Sequence, residues 1–312
     1  MQEPPAELTD ADVLVAVRDA WSEQAIGVEH LAVGFGAHHW RVETGGSPGL
    51  FVTFDRFGTR HSVGSLEAAY AGAIQLAGAG LEFVLAPLRT RSGAVLVQVA
   101  TGALSCTPWV DGTVVGEGEI DDPGTAADNI ADLARLHATA PPSGLPGWSP
   151  LAGADLAERL SGLLLATPWG TGPYGEPVRR EIADRSTAID AWIRRHRELA
   201  EAATGRSWVV THGETHTRNQ LRTPAGIRFV DWESLKLAPR ERDLATLVQA
   251  GYGTQVGADP AMVELFDLEW RLAEIDEYAH RFAALHSGTD DDRTAYKGLL
   301  NELRRGAWWP PA

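Results

Sequence analysis

The sequence predicts an α+β chain with a small β-rich N-terminal lobe and a larger helical C-terminal lobe. Three observations carry this. Short runs with strand character dominate residues 1–108, with one helix inserted among them. Helix-period runs dominate residues 109–312. The two clear strands in the helical half flank its most polar loop. At about 150 residues per domain, 312 residues agree with two lobes.

Thr9 or Asp10 caps a first helix to about Ser22, with Val13, Val15, Ala16, Val17 and Trp21 apolar. Strand-like pieces follow at Glu29–Val33, Trp40–Thr44 and Leu50–Phe54, the last two separated by a GGSPG turn. A helix over about Ser65–Ala77 precedes strands near Phe83–Leu88, Ala94–Ala100 and Leu104–Cys106. In the second lobe, Ala126–Ala138 puts Ile130, Leu133, Leu136 and His137 on one helical face, and Pro141-Pro142 ends it. Asp155–Leu165, Pro177–Glu201 and Met262–Arg305 are further helical runs. WVVT (208–211) and IRFVD (227–231) read as short strands joined by a polar loop.

Apolar residues make up 44% and charged residues 22%, values of a soluble globular protein with a sizeable core. Lys and Arg number 27 against 42 Asp and Glu, a net charge of −15. That balance argues against a nucleic-acid or anionic-membrane surface and suits a cationic ligand. The single Cys106 cannot form a disulfide within the chain. The start, MQEPPAELTDADV, has no basic region followed by an apolar run. Together these set the expectation of a cytoplasmic protein. The uncharged stretch Ser92–Val110 is long enough to span a bilayer, but Gly93, Gln98, Thr101, Gly102, Ser105, Thr107 and Pro108 interrupt it. It reads better as two strands and a turn.

Chemistry concentrates in Thr211-His212-Gly213-Glu214-Thr215-His216-Thr217-Arg218-Asn219, with Asp231-Trp232-Glu233 closing the following strand. Buried carboxylates need partners or a metal. A carboxylate with an amide oxygen suits Mg²⁺, which keeps waters and recruits substrate phosphates. A second reading takes His212, Glu214 and His216, at i, i+2 and i+4, as an H-x-E-x-H zinc cluster of a hydrolase.

HGETHTRN followed by VDWE resembles the HGDxxxxN and DW(E/D) loops of aminoglycoside phosphotransferases and related small-molecule kinases. The order of elements from about Val28 to Phe282 is similar too. The resemblance implies a bilobal protein-kinase-like fold, a nucleotide-binding lobe over 1–108 and a catalytic and substrate lobe over 109–312. It places Glu214 as the group that orients the acceptor hydroxyl and takes its proton. Asn219 and Asp231 stand where the family holds Mg²⁺, and His212 supports the loop through hydrogen bonds. Gly34 and Gly36, in VGFGAHHW, stand in the nucleotide loop with His38 and His39 beside them. Cys106, Pro108 and Trp109 fall at the hinge, whose backbone groups would hold the purine of ATP or GTP. Glu67 matches the glutamate of the inserted helix. Glu233, Glu269 and Trp270 are the expected acceptor contacts, and most acids of DLEWRLAEIDEYAH are expected in solvent while Leu265, Leu268, Leu272, Ile275 and Ala279 face the core.

Two positions depart from the family pattern. Glu214 replaces the usual Asp, moving the carboxylate outward by roughly 1.5 Å. Thr53 stands where the family carries a phosphate-binding lysine, and no lysine precedes Lys236. Arg56, Arg60, His38 and His39 are the candidates for the missing charge, and Mg²⁺ could carry more of it. The expected activity is a Mg²⁺-dependent O-phosphotransferase acting on an antibiotic of the aminoglycoside, spectinomycin or nucleoside type. A kinase of a choline- or homoserine-like metabolite and a nucleotide-binding pseudokinase are the alternatives.

Overall fold

Thr9 begins the first helix with a capping box: its side chain accepts from the Asp12 N–H, and Asp12 returns a bond to the Thr9 N–H. In the computed structural model, which describes residues 1–45, 49–58, 60–116, 118–150, 155–165 and 168–306, this helix is α1 (Asp10–Ala20). The GGSPG turn lies largely outside the described residues. Next come β1 (Ala25–Leu31), β2 (His38–Thr44), β3 (Leu50–Arg56) and α2 (Val63–Gly78). They are followed by β4 (Val97–Val99), β5 (Gly102–Pro108), β6 (Thr113–Val114) and α3 (Pro123–Ala138). Helices α4 (Leu156–Leu165), α5 (Gly175–Asp184) and α6 (Ser186–Ala203) lead to β7 (Val209–Thr211) and β8 (Gln220–Thr223). After β9 (Gly226–Phe229) and β10 (Lys236–Ala238) come α7 (Ala245–Gln249), α8 (Pro260–Ala283) and α9 (Asp290–Arg304).

These elements form two compact units, Met1–Gly147 with Trp208–Ala250, and Trp148–Ser207 with Gly251–Ala312. The expected boundary at residue 108 falls inside the first unit, because β6 pairs with β8 across the sequence, Thr113 opposite Arg222.

The first unit contains a five-stranded antiparallel sheet in the order β1-β2-β3-β5-β4. Strand alternation gives it two faces. Trp40, Val42, Val52, Phe54, Leu104 and Cys106 pack against α1 through Val13 and Val17. On the other face Leu66 and Tyr70 of α2 meet Val95, Leu96 and Ala103. Thr53 and Asp55, out of phase with Val52 and Phe54, therefore lie on the α2 face.

Several elements differ from expectation. Phe83–Leu88 forms no strand: only Val84 bridges, to Phe229, and Pro87 has no N–H to continue a ladder. WVVT and IRFVD do not pair with each other. β7 pairs with β10, and β9 forms a hairpin with β8, so two unforeseen strands supply the partners. The helical run Pro177–Glu201 breaks at Arg185, where ψ is 9°.

In the second unit, α4, α5, α6, α8 and α9 share one core that includes Leu156, Ile182, Ile193, Leu272, Ile275 and Phe282. The α8 stripe Leu265, Leu268, Leu272, Ile275 and Ala279 is buried as the spacing predicts. Asp267 and Asp276 are buried as well, not in solvent: Arg305 pairs with Asp267 and Arg159 with Asp276 at 2.9 Å.

The loop after β7 is held by Asp243, which ends a 3-10 turn over Arg240–Asp243 and is fully buried. Its carboxylate accepts from the N–H groups of His212 (3.0 Å) and Gly213 (2.6 Å), and from His137 Nε2 on α3 (2.9 Å). Burial alone would push this carboxyl up, but His137 and its other neighbours hold it below the ordinary aspartate range. Gly213 has φ 96°, and a Cβ there would run into the Arg242 guanidinium.

Two predictions follow from this packing. Asp243→Ala leaves the buried His212 N–H and the part-buried Gly213 N–H unpaired and should cost about 3–5 kcal/mol, read as a lowered midpoint in denaturant unfolding; an unchanged midpoint would contradict the role given to Asp243. The second concerns His39, whose imidazole burial pushes down to about 3. Its unfolded value is about 6.5, so the unfolded chain binds the extra proton and stability falls as pH drops below that value. Unfolding at pH 7 and pH 5 should show His39→Gln abolishing roughly 2 kcal/mol of that fall.

Candidate active site

The β7–β10 pairing sets Thr211 opposite Lys236, so the polar loop leaves β7 and the Asp231–Glu233 segment returns into β10. His212 joins the two. Its Nε2–H donates to the Val230 carbonyl at 2.8 Å, and Nδ1 accepts from the Glu214 N–H at 3.2 Å. The ring packs 4.4 Å from Trp232, centroid to centroid. Both nitrogens are engaged and burial lowers its pKa, so His212 is a neutral structural bridge. The zinc arrangement is therefore not formed: His212 has no nitrogen left to coordinate. Among the described residues no group of three His, Cys, Asp or Glu side chains is placed to hold a metal by itself.

Glu214 is half-buried beside the loop. Ser234 Oγ donates to its Oε1 at 3.0 Å, and His216 Nε2 lies 3.9 Å from Oε2. Burial acts to raise its pKa, but Arg60, His216, Ser234 and His212 outweigh that and hold it below the ordinary glutamate range. It is thus a carboxylate at neutral pH, held in one orientation. The Glu-for-Asp departure is accommodated by this Ser234 contact.

Asn219 Nδ2 donates to the Glu214 carbonyl at 3.0 Å, which fixes the amide and leaves its oxygen as an acceptor. The Asn219 carbonyl accepts from the Val230 N–H at 3.0 Å, tying it to the segment that carries Asp231. Asp231 has φ 68°, a left-handed conformation that side chains other than glycine seldom adopt and that marks functional positions. Its carboxyl is pushed up by burial and by Glu214, while its hydrogen bond with Glu233 acts the other way. Glu233 is raised further, by burial and then by Asp231 and Glu214. One Glu233 oxygen, Oε2, is buried with no hydrogen-bond partner. An amide oxygen, a strained aspartate and an orphaned carboxylate oxygen fit a hard divalent cation that completes its shell with phosphate oxygens and water.

The nucleotide-loop residues divide between the sheet's faces. Gly34 and Gly36 have φ 69° and 103°, and a Cβ on Gly34 would lie 3.0 Å from His39 Nε2. His39 therefore sits beneath the loop, its Nδ1 3.2 Å from Thr53 Oγ1 and its ring stacked on Phe51. His38 does not join it. Strand alternation sends His38 to the α1 face with Trp40 and Phe54, and burial lowers its pKa to about 4. The Cys106 side chain is in the α1-side core, its thiol raised by burial, so only its backbone can serve a hinge. Pro108 ends β5 opposite Leu50. Trp109 is half-buried, its N–H donates to the Gly49 carbonyl, and Arg41 lies 4.5 Å over its ring. Glu67 is exposed on α2, where solvent accounts for it.

The candidates for the missing lysine's charge are thereby reduced. Arg56 is bonded to Glu7 at 2.6 and 2.9 Å, and His38 and His39 are neutral above pH 5. Arg60 is the cation whose field acts on Glu214. In the second unit, Glu269 accepts from Trp148 Nε1 (2.9 Å) and bonds His196 Nε2 (2.5 Å), while Trp270 is half-buried.

Sequence reasoning missed Asp243, Ser234 and Asp55. Asp55 had a signal: it is a lone acid closing the apolar run LFVTF. It is buried, and the Tyr70 hydroxyl donates to its Oδ2 at 2.5 Å.

The chain's resemblance to known proteins agrees with this arrangement. Protein StrN of Streptomyces griseus is 30% identical over 254 residues, 77% of each chain. Among solved structures, a spectinomycin phosphotransferase in complex with ADP and spectinomycin covers 94% of both chains with a TM-score of 0.70 at 13% identity. Amicoumacin kinase in complex with AMP-PNP, Ca²⁺ and Ami covers 98% of this chain and 96% of its own, with a TM-score of 0.58 at 12% identity. These likenesses establish the protein-kinase-like fold. Residues 27–288 match the description of the phosphotransferase enzyme family, most of the chain and all of the loops described above, and the chain belongs to that family of kinases acting on hydroxyl groups.

Proposed function

We propose that this kinase moves the γ-phosphate of ATP or GTP, with Mg²⁺, to a hydroxyl of an antibiotic of the aminoglycoside, spectinomycin or nucleoside type. The observation that carries this is the placement of Glu214, Asn219 and Asp231 around one loop, each oriented by a separate hydrogen bond or backbone constraint. The bound antibiotics of its structural neighbours and the net charge of −15, which favours a cationic acceptor, support the acceptor class.

Glu214 receives the hydrogen of the acceptor hydroxyl and aims its oxygen at the γ-phosphorus. The new P–O bond forms as the bond to the β-phosphate oxygen breaks, and the nucleoside diphosphate leaves. Asn219 and Asp231 would hold Mg²⁺, which offsets the charge of the β- and γ-phosphates when bound. Gly34 and Gly36 let backbone N–H groups approach the phosphates. His39, neutral beneath that loop, offers a hydrogen bond and no charge. Cys106, Pro108 and Trp109 present backbone groups to the purine. Glu233, expected as an acceptor contact, shares a hydrogen bond with Asp231 and so belongs to the phosphate side of the site. In this reading the protein works in the cytoplasm.

Mass-spectrometric detection of phosphorylated acceptor tests it. Asp231→Ala should abolish transfer while the far-ultraviolet spectrum and unfolding midpoint stay near wild type. Glu214→Gln should lower kcat by about 10²–10⁴. Full activity in the Asp231 variant would overturn the metal assignment.

A further inference from the structure

Arg41 belongs to no part of the phosphotransfer machinery just described. It follows His39 by two residues on β2, so both side chains lie on one face of the sheet. The register with β3 sets His39 opposite Thr53 and Arg41 opposite Phe51, which makes this the face of the glycine loop and of the absent lysine. Aromatic rings line it from loop to hinge. His39 is stacked on Phe51 at 4.9 Å, and Phe51 lies 6.4 Å from Trp109, centroid to centroid. Glu29 stands opposite Arg41 on β1. The guanidinium nevertheless lies over the Trp109 ring, 4.5 Å from its centroid, and among the described residues it forms no ion pair. The Trp109 indole N–H donates to Asp111 Oδ1 at 3.1 Å, which holds the ring in place. Arg41 therefore brings a guanidinium to the hinge, at the base end of the nucleotide face and not at the phosphate end.

The hinge backbone supplies a second, independent observation. The Trp109 N–H donates to the Gly49 carbonyl at 2.9 Å, which extends the β3–β5 ladder by one hydrogen-bonded pair. Such pairs alternate along antiparallel strands, so Thr107, opposite Phe51, also turns its N–H into the ladder. Pro108 between them has no N–H, and the same alternation turns its carbonyl away from β3. From Thr107 to Trp109 the hinge thus offers a purine carbonyl oxygens and no N–H.

Adenine and guanine differ at the atoms these groups would meet. Adenine has an acceptor at N1 and a donor at N6, whereas guanine has donors at N1 and N2 and an acceptor at O6. An adenine N1 set against carbonyls lacks its donor, and its N6 amine meets a guanidinium that can only donate. Guanine answers both, with its N–H groups toward the hinge carbonyls and O6 and N7 toward the guanidinium fork. We infer that Arg41 reads the guanine base and makes GTP the phosphate donor in preference to ATP. The inference rests on the phosphotransfer reading and names the donor within it.

Calorimetric titration in Mg²⁺ with ATP, GTP, inosine triphosphate and 7-deaza-GTP tests it. The wild type should bind GTP about 10–100-fold more tightly than ATP. Inosine triphosphate, which keeps O6 and N7 but lacks the 2-amino group, should bind more tightly than ATP, and 7-deaza-GTP, without the N7 acceptor, more weakly than GTP. A glutamine amide pairs with N6 and N7 of adenine, so Arg41→Gln should weaken GTP by about 10–100-fold and strengthen ATP. Unfolding midpoints identify a variant that fails to fold, in which case the two analogues on the wild type decide. ATP bound as tightly as GTP, inosine triphosphate bound as weakly as ATP, 7-deaza-GTP bound as tightly as GTP, or an undiminished GTP preference in folded Arg41→Gln would overturn the inference. Failure of every nucleotide to bind the wild type in Mg²⁺ would overturn the phosphotransfer reading itself, and this inference with it.

Discussion

The loop after β7 depends on one buried carboxylate. Asp243 gathers the N–H groups of His212 and Gly213 and the His137 imidazole around its two oxygens. A hydrogen-bonded carboxylate in the interior is stable only when such donors replace the water it has lost. Here the donors belong to the loop itself, so satisfying the charge and fixing the loop are the same event. From that anchor the order passes outward: His212 reaches Val230, Val230 donates to Asn219, and Asn219 donates to the Glu214 carbonyl. Asn219 is thereby tied to the Glu214 backbone and to Val230, the residue before Asp231, while Ser234 orients the Glu214 carboxylate.

A second constraint is electrostatic. The family pattern balances nucleotide phosphates with a lysine on β3, and this chain has Thr53 there and an acid two residues later. His39 beneath the loop and His38 on the opposite face of the sheet are both kept neutral by burial, and Arg56 is committed to Glu7. In the proposed reaction, positive charge at the phosphates therefore comes from outside the sheet. Asp55, on the Thr53 face, is instead tied into α2 by the Tyr70 hydroxyl.

Much of this was legible in the sequence, for identifiable reasons. The capped first helix, the α8 stripe and the paired loops HGETHTRN and VDWE are local patterns, and local patterns survive reading one residue at a time. Pairing partners were not legible. β8 and β10 are short strands whose identity depends on which distant segment they meet, and Phe83–Leu88 has strand composition without a neighbour to complete a ladder. The same limit applied to His38 and His39. Adjacent in sequence, they fall on opposite faces of β2, and only the register with β3 shows that His39 is the one under the loop. Asp267 and Asp276 were misread as solvated because their arginine partners are remote in sequence.

Calorimetric titration of the purified protein with ATP and with GTP, each with and without Mg²⁺, tests the central claim most directly. The account predicts that one or both nucleotides bind with Mg²⁺ and that binding is lost or greatly weakened without it, since the protein places carboxylates and not lysine at the phosphates. Equal affinity with and without Mg²⁺, or no binding of either nucleotide, would contradict it.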